Sequence, residues 1–562
     1  MKIKTKPEDI FKEYEKGKDF KTSIDLYENV EKNQRFFIGD QWKGVNAPGL
    51  MKPVFNMIKR VVTFFIAMIV SDDIGVNLES FFEDEENELT TKIISKEIEK
   101  IIEKTKLKAK IRTSIKNCAV DGDTAMYVSF NPDIETGQDA QGDLELEIID
   151  NTNIYFGNPY SSDIQKQPYL IVSQRLYLDQ VKEYAKENGV SESDIDNIIA
   201  NNESESNYYD VQEDGLVTVL TKFWKVKNTI EVPSKIQGYT QKKNITEVHY
   251  IKVVRDIVIK EETNLECSLY PIAYMTWEPR KRSYHGQSPI TGLIPNQIYV
   301  NKLFAMSMLF TQNMGFPKIF YDSQRIAEYT NDVGSAIKVQ NMDALGRVMD
   351  GFKPPDFSNQ VLALIDKTID YTRDMMGASD ASLGNVNPNN TSAIIAVQQS
   401  SNMPLELQRL AYFDYVEDIV RIIIDQVASN YGVRKCQVPG EIAELYNLYE
   451  TQIDEITGQP LESKLITVAN LDFSQLKNMN IDLNIDIGAS TFWSETAQIQ
   501  TMDSLFNKGI LKDPVQYLEG IPDKYIKNKS KIIENVKAEI QKQEELQQQM
   551  LNQQMEQENL VT

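Results

Sequence analysis

The sequence predicts an α+β chain of several regions, and three observations carry that prediction. Its 562 residues exceed the length over which one core keeps growing. A composition of 41% apolar and 25% charged residues is that of a globular protein with a sizeable core. Between Gly122 and about Glu262 the β-branched and aromatic bias of strands recurs, whereas from Ser288 onward long helical patterns dominate.

In the first region, 1–287, NQRFFIGDQW (Asn33 to Trp42) ends a helical run with aromatics and turns at Gly39-Asp40. Phe36, Phe37 and Trp42 read as core anchors. PVFNMIKRVVTFFIAMIV follows as an apolar helix opened by Pro53. Its most apolar part, Val61 to Val70, runs straight into Ser71, Asp72 and Asp73 and is about half of what a membrane span needs, so a buried helix and no membrane partner are expected. IGVNLES leaves it as a strand. Over Asp84 to Val120, Leu89, Ile93, Ile94, Ile98, Ile101 and Ile102 stand at helical spacing behind acidic first turns, predicting one long amphipathic helix. The segments TAMYVSF, LELEIID, NIYFGN, YLIVSQRLYL, VTVLTKFWKV, EVHYIKVV and DIVIKEE read as strands, with a helix near Asp179 to Asn188.

The stretch 288–315 starts with Pro289, ends at Gly315 and holds few charges, which predicts a helix of about 42 Å, kinked at or starting from Pro295. A small mixed insert, 316–357, has short strands in KIFYD and GRVMD. A second helix, 358–377, is bounded by Ser358 as N-cap and Gly377 as C-cap. After a loop at 378–390, a helix over 391–432 contains Pro404, which removes a donor and clashes with the Ser400 carbonyl, so a bend with both arms helical is expected there. Region 433–490 holds a strand pair, ITVANLDF with NIDLNIDIGAS. Region 491–562 holds helices at Thr491 to Gly509 and Asp513 to Glu519, then a Gln- and Glu-rich tail.

Missing chemistry narrows the function. A net charge of −23 argues against wrapping nucleic acid through clustered cations, without excluding DNA that passes ungripped. Cys118, Cys267 and Cys436 form neither a disulfide framework nor a thiolate metal motif and read as reduced thiols in a cytosolic setting; the N-terminus lacks the apolar run of a signal peptide. Of the two histidines, His249 lies in an alternating strand pattern and His285 in a polar turn, neither in a catalytic motif. No G-x-x-x-x-G-K-[ST] stretch offers a phosphate cradle. With 83 Asp and Glu, chance acidic pairs are common and read as solvated faces. No catalytic residue, cofactor or metal is expected.

The residues NQRFFIGDQW, PVFNMIKRVV, NKLFAMSMLF and NNTSAIIAVQQSSNMPLELQRLAYFDYVEDIV, in this order with helix, insert, helix, loop and bent helix, resemble a tailed-bacteriophage portal protein, the head-tail connector ring. The resemblance implies a wing (1–287), stem helices (288–315 and 358–377), a clip (316–357), a tunnel loop (378–390), a long bent helix (391–432), wing return strands (433–490) and a crown (491–562). It implies a ring of twelve copies at a capsid vertex, passing double-stranded DNA and meeting the terminase large subunit, head-completion or adaptor proteins, and major capsid and scaffolding proteins, with ATP hydrolysis left to the terminase. By the same resemblance Asp380, Ser382, Leu383, Asn385, Val386, Asn387 and Asn389 would line the tunnel loop, and Lys367 and Arg373 the stem channel face, offset by Asp366, Asp370 and Asp374. Pro404 would turn the helix from channel to periphery. The alternatives are a soluble enzyme with an acidic, metal-dependent site and a different virion component.

Overall fold

The computed structural model describes residues 3–70, 75–80, 85–138, 140–201, 215–233, 240–314, 318–324, 326, 349–352, 359–375, 405–438, 449–453, 460–465, 468–477, 481–486, 492–511 and 514–521, with single positions between 526 and 542. Pro7 sits in the first turn of α1 (Pro7–Ser23), and Glu8 and Asp9 stand where the positive end of the helix dipole favours them. Next, α2 (Leu26–Ile38) ends at Gly39, whose φ of +100° suits a residue without Cβ. Pro53 does not open the third helix. Instead α3 (Met57–Ile69) starts four residues later, where the Asn56 side chain accepts from the Lys59 amide at 3.0 Å. Phe36 and Phe37 are buried, while Trp42 is half-buried and donates its indole N–H to the Pro53 carbonyl at 2.8 Å. Val61, Val62, Phe64, Phe65 and Ile69 are buried, and among the described residues no helix is long and apolar enough to cross a membrane.

After β1 (Gly75–Ser80), the single helix expected to Val120 is two, α4 (Glu85–Lys104) and α5 (Leu107–Asp121). Between them Thr105 turns its hydroxyl onto the Ile101 carbonyl at 2.7 Å and Lys106 takes left-handed backbone at φ +54°. The break lets Ile94 and Ile98 on one helix and Ile111 and Ile115 on the other all reach the interior.

Then come β2 (Asp123–Asn131), β3 (Asp143–Ile149), β4 (Ile154–Phe156), β5 (Tyr169–Tyr177), α6 (Leu178–Glu187), α7 (Glu192–Asp196), β6 (Leu216–Pro233), β7 (Thr240–Val254), β8 (Ile257–Asn264) and β9 (Ile272–Thr276). All the expected strands are present, and β9 is an addition. One sheet has the order β3-β2-β9 and the other β4-β5-β6-β7-β8, with antiparallel pairing throughout. Alternation along β5 feeds two cores: Leu170 and Val172 join Phe156, Phe223, Tyr270 and Tyr284, whereas Tyr169 and Ile171 join Trp224 and, from α1, Ile10 and Tyr14.

Where the body hands over to the first long helix, two backbones touch. Gly122, at φ +104°, ends α5, and a Cβ on Gly286 would collide with its carbonyl oxygen. Ser288 then donates to the Ala119 carbonyl at 2.7 Å and accepts from the Ile290 amide at 3.1 Å, fixing the start of α8 (Pro289–Met314). The helix runs from Pro289 through Pro295 and packs against α2, α3 and α5. In the insert, β10 (Lys318–Tyr321) and β11 (Met349–Phe352) pair antiparallel, and α9 (Asn359–Met375) returns along α8.

The described arm of the long helix is α10 (Glu406–Asn430), whose Tyr412, Tyr415, Val416, Ile419 and Ile423 are buried against β2, β9 and α3. Next are β12 (Val433–Gln437), β13 (Tyr449–Ile453), β14 (Pro460–Leu465), β15 (Val468–Asp472) and β16 (Ile481–Asp486). The two strands expected to pair with each other both exist but do not: β15 pairs with β12, and β16 with β1, which lies some 400 residues earlier. Residues 1–70 with 76–485 form one compact unit; residues 71–75 with 486–562 form a second, which contains α11 (Phe492–Asn507) and α12 (Pro514–Glu519).

Candidate channel and subunit-contact surfaces

α8 and α9 form a helical pair tied by Asn296, which donates to the Thr372 hydroxyl at 3.0 Å. The only charged residue of α8 is Lys302. Its root is held by a ladder of buried amides that the sequence did not advertise. Gln297 donates to the Phe55 carbonyl at 2.7 Å and to Asn301 at 3.0 Å and accepts from the Met57 amide at 2.9 Å, while Asn301 donates to Gln41 at 2.5 Å. Buried amides in a helix persist only with such partners, so this ladder fixes α8 to the start of α3.

Away from the root the pair leaves apolar side chains at its surface. Met306 on α8 is 64% exposed, and on α9 Tyr371 is 63% and Leu364 45% exposed. Lys367 is exposed and Arg373 is half-buried, donating to Asp370 at 3.1 Å. Six residues apart on a helix of 3.6 residues per turn, Lys367 and Arg373 point about 120° apart. The structure therefore brings Arg373 together with Asp370, as expected for charges that pair along a helix, but not with Lys367. Asp380, Ser382, Leu383, Asn385, Val386, Asn387, Asn389 and Pro404 lie outside the described residues.

The histidines are structural. His285, expected in a polar turn, is wholly buried: its Nδ1 meets the buried Asp123 carboxylate at 2.5 Å, and that carboxylate also accepts from Tyr274 and Asn151. Burial holds the imidazole below its ordinary pKa and pushes the Tyr274 phenol well up, Asp123 adding to the latter. His249 lies on β7 with Nδ1 2.8 Å from Glu262. The three cysteines are free and buried, and burial raises Cys267 to about 12 and Cys436 to about 11. Among the described residues no group of three or more His, Cys, Asp or Glu is placed to hold a metal ion.

A well-packed body carrying long helices with apolar side chains left at their surface is the build of an assembly subunit. Residues 14–561 match the family model described as phage P22-like portal protein, and the chain belongs to that family. Its role is that of a bacteriophage portal, a structural head-tail connector component that serves DNA packaging. Portals form oligomeric rings and dock with capsid and terminase. No curated protein matches the sequence.

Proposed function

We propose that twelve copies of this chain close into a ring at one capsid vertex, through which double-stranded DNA is packaged and later ejected. The observation that carries this reading is the family match over residues 14–561. On it, residues 1–287 form the wing, α8 and α9 the stem, and 316–357 the clip that docks the terminase large subunit and then head-completion or adaptor proteins. The remainder supplies the tunnel loop (378–390), the long helix bent at Pro404 (391–432), the wing return strands (433–490) and a crown (491–562). Major capsid and scaffolding proteins surround the ring as it assembles in the host cytoplasm.

A conduit works by not gripping, because each cation on a phosphate adds an attraction that moving DNA must break. The loop has no Lys or Arg and only Asp380 as a charge. On α9, Arg373 is engaged by Asp370, so of the two residues expected on the channel face Lys367 is the freer to meet phosphate.

Light scattering and electron microscopy of the purified protein test the ring. A particle near twelve times 64.3 kDa with a central hole is expected. A chain that stays monomeric even when co-expressed with its capsid and scaffolding proteins overturns it. Replacing Asn385 to Asn389 with a glycine linker should preserve the ring and impair packaging or DNA retention; wild-type packaging would remove the loop's role. Pro404→Ala should disturb the ring more than the lone subunit.

A further inference from the structure

Between α2 and α8 runs a groove made of two adjoining cavities, about 380 and 490 Å³, that share Lys32, Ile298 and Lys302. Cations outnumber carboxylates along it, Lys32, Arg35, Lys43 and Lys302 standing against Glu28 and Glu31. Glu31 is already engaged by Arg35 and Lys43, each at 4.0 Å, while Lys32 and Lys302 are exposed. On a chain of net charge −23 this is the reverse of the average surface. The apolar part of the groove is the side of α8 that carries Ile298 beside Pro295.

The complementary pattern lies on α10. Leu407, Leu410, Asp414, Glu417, Asp418 and Arg421 recur at helical spacing and form one stripe about 100° wide, turned away from the face that buries Tyr412, Val416 and Ile419. Leu407 is 77% and Leu410 50% exposed. The carboxylates are crowded: burial, then Glu417 and Asp414, push Asp418 up to about 6, and Arg421 is held by Glu417 at 2.6 Å.

We infer that the groove between α2 and α8 of one copy receives the Leu407 to Arg421 stripe of α10 from the next copy. The inference rests on the ring reading above and adds to it the pair of surfaces that meet. Leu407 and Leu410 enter the apolar part of the groove beside Ile298, and the surplus carboxylates meet Lys32 and Lys302. Helix α3 packs against α2 and α8 and also against α10, so groove and stripe are different surfaces of one body. Contact between two unlike surfaces is head-to-tail, the kind that closes into a ring when the rotation permits. A groove of this size covers only part of a standard interface of about 1,600 Å², so its charges set register and partner choice within a larger contact.

Charge reversal tests the pairing. Three variants are compared with wild type: Lys32→Glu with Lys302→Glu, Asp414→Lys with Glu417→Lys, and all four together. The subunit concentration at half-assembly is read by light scattering, with circular dichroism of each sample to report folding. Each two-site reversal should raise that concentration about tenfold or more, equivalent to about 1.4 kcal/mol. The four-site variant should return toward wild type, because every contact again joins opposite charges. Leu407→Ser, at an exposed position, should impair assembly without any change of charge. Two-site variants or Leu407→Ser assembling like wild type, or a natively folded four-site variant as impaired as its parents, overturn the pairing and leave the ring standing. A wild type that forms no ring even when co-expressed with its capsid and scaffolding proteins overturns the ring reading itself.

Discussion

Both faces of the five-stranded sheet are covered, one by Ile10 and Tyr14 of α1 and the other by Tyr270 and Tyr284, whereas on the stem pair Met306, Leu364 and Tyr371 stand at the surface. The polar groups differ in the same sense. In the body, the Lys222 ammonium is buried against Glu13 at 2.5 Å and the Lys4 carbonyl at 2.7 Å. On α9, Arg373 and Asp370 pair at 3.1 Å with the aspartate open to solvent, a kind of contact worth little by itself. The body carries its stability within one chain. The α8–α9 pair is anchored at one end, and in the proposed ring its exposed apolar side chains are the ones left for neighbouring copies to cover.

The comparison breaks most sharply in the body. Phe223→Ala, in the center of the larger core, should cost about 3–5 kcal/mol and lower the denaturant midpoint of the subunit; an unchanged midpoint would mean that the body is not what holds the chain together. In the stem, Asn296→Ala removes the bond to Thr372 and should cost about 1 kcal/mol. Hydrogen exchange should then speed up in α9 and leave β5 and β6 alone; speeding in all three would show one cooperative unit. Tyr371→Ser should change the stability of the lone subunit by no more than about 0.5 kcal/mol, yet raise the concentration needed for assembly. Equal effects on both would place Tyr371 in a core.

The smallest effect is a slope with pH. Asp418 sits at about 6 in the folded chain, against about 3.9 for an aspartate in an unfolded one, so the folded state holds the proton more tightly. That contribution is fully present below about pH 4 and is lost as pH rises through about 6. Asp418→Asn should flatten this part of the stability profile of the lone subunit. An unaltered profile would mean that neither burial nor the charges of Glu417 and Asp414 raise Asp418 in the folded chain.

Much of the body was legible because its strands carry β-branched and aromatic runs bounded by turn residues. The stem was legible because Pro289 and the near absence of charge mark α8. What the sequence hid depends on tertiary context. Lys106 breaks a helix with neither glycine nor proline to announce it. The partner of β16 lies on β1, and no local pattern encodes a pairing across that separation. His285 looked like a turn residue because Arg280, Lys281 and Arg282 precede it, and only the fold reveals Asp123 beneath it. For the site, the sequence set Asp366, Asp370 and Asp374 beside Lys367 and Arg373 without choosing partners, and the fold pairs Arg373 with Asp370. The groove along α2 and α8 was invisible, since it joins residues some 260 positions apart.

The contact between Gly122 and Gly286 also decides how accurately the stem is aimed. Backbone meets backbone there, and beside it the short Ser288 hydroxyl is tied to the Ala119 carbonyl, so the joint has little slack to take up an angular error. The 26 residues of α8 span about 39 Å, so a tilt of about 10° at its start, if the Gln297–Asn301 ladder gave way with it, would carry the far end about 7 Å off course. In a closed assembly every copy would repeat that displacement, and the bore would widen or shut. In the proposed ring, these two glycines and the Gln297–Asn301 ladder together would set the tolerance of the opening.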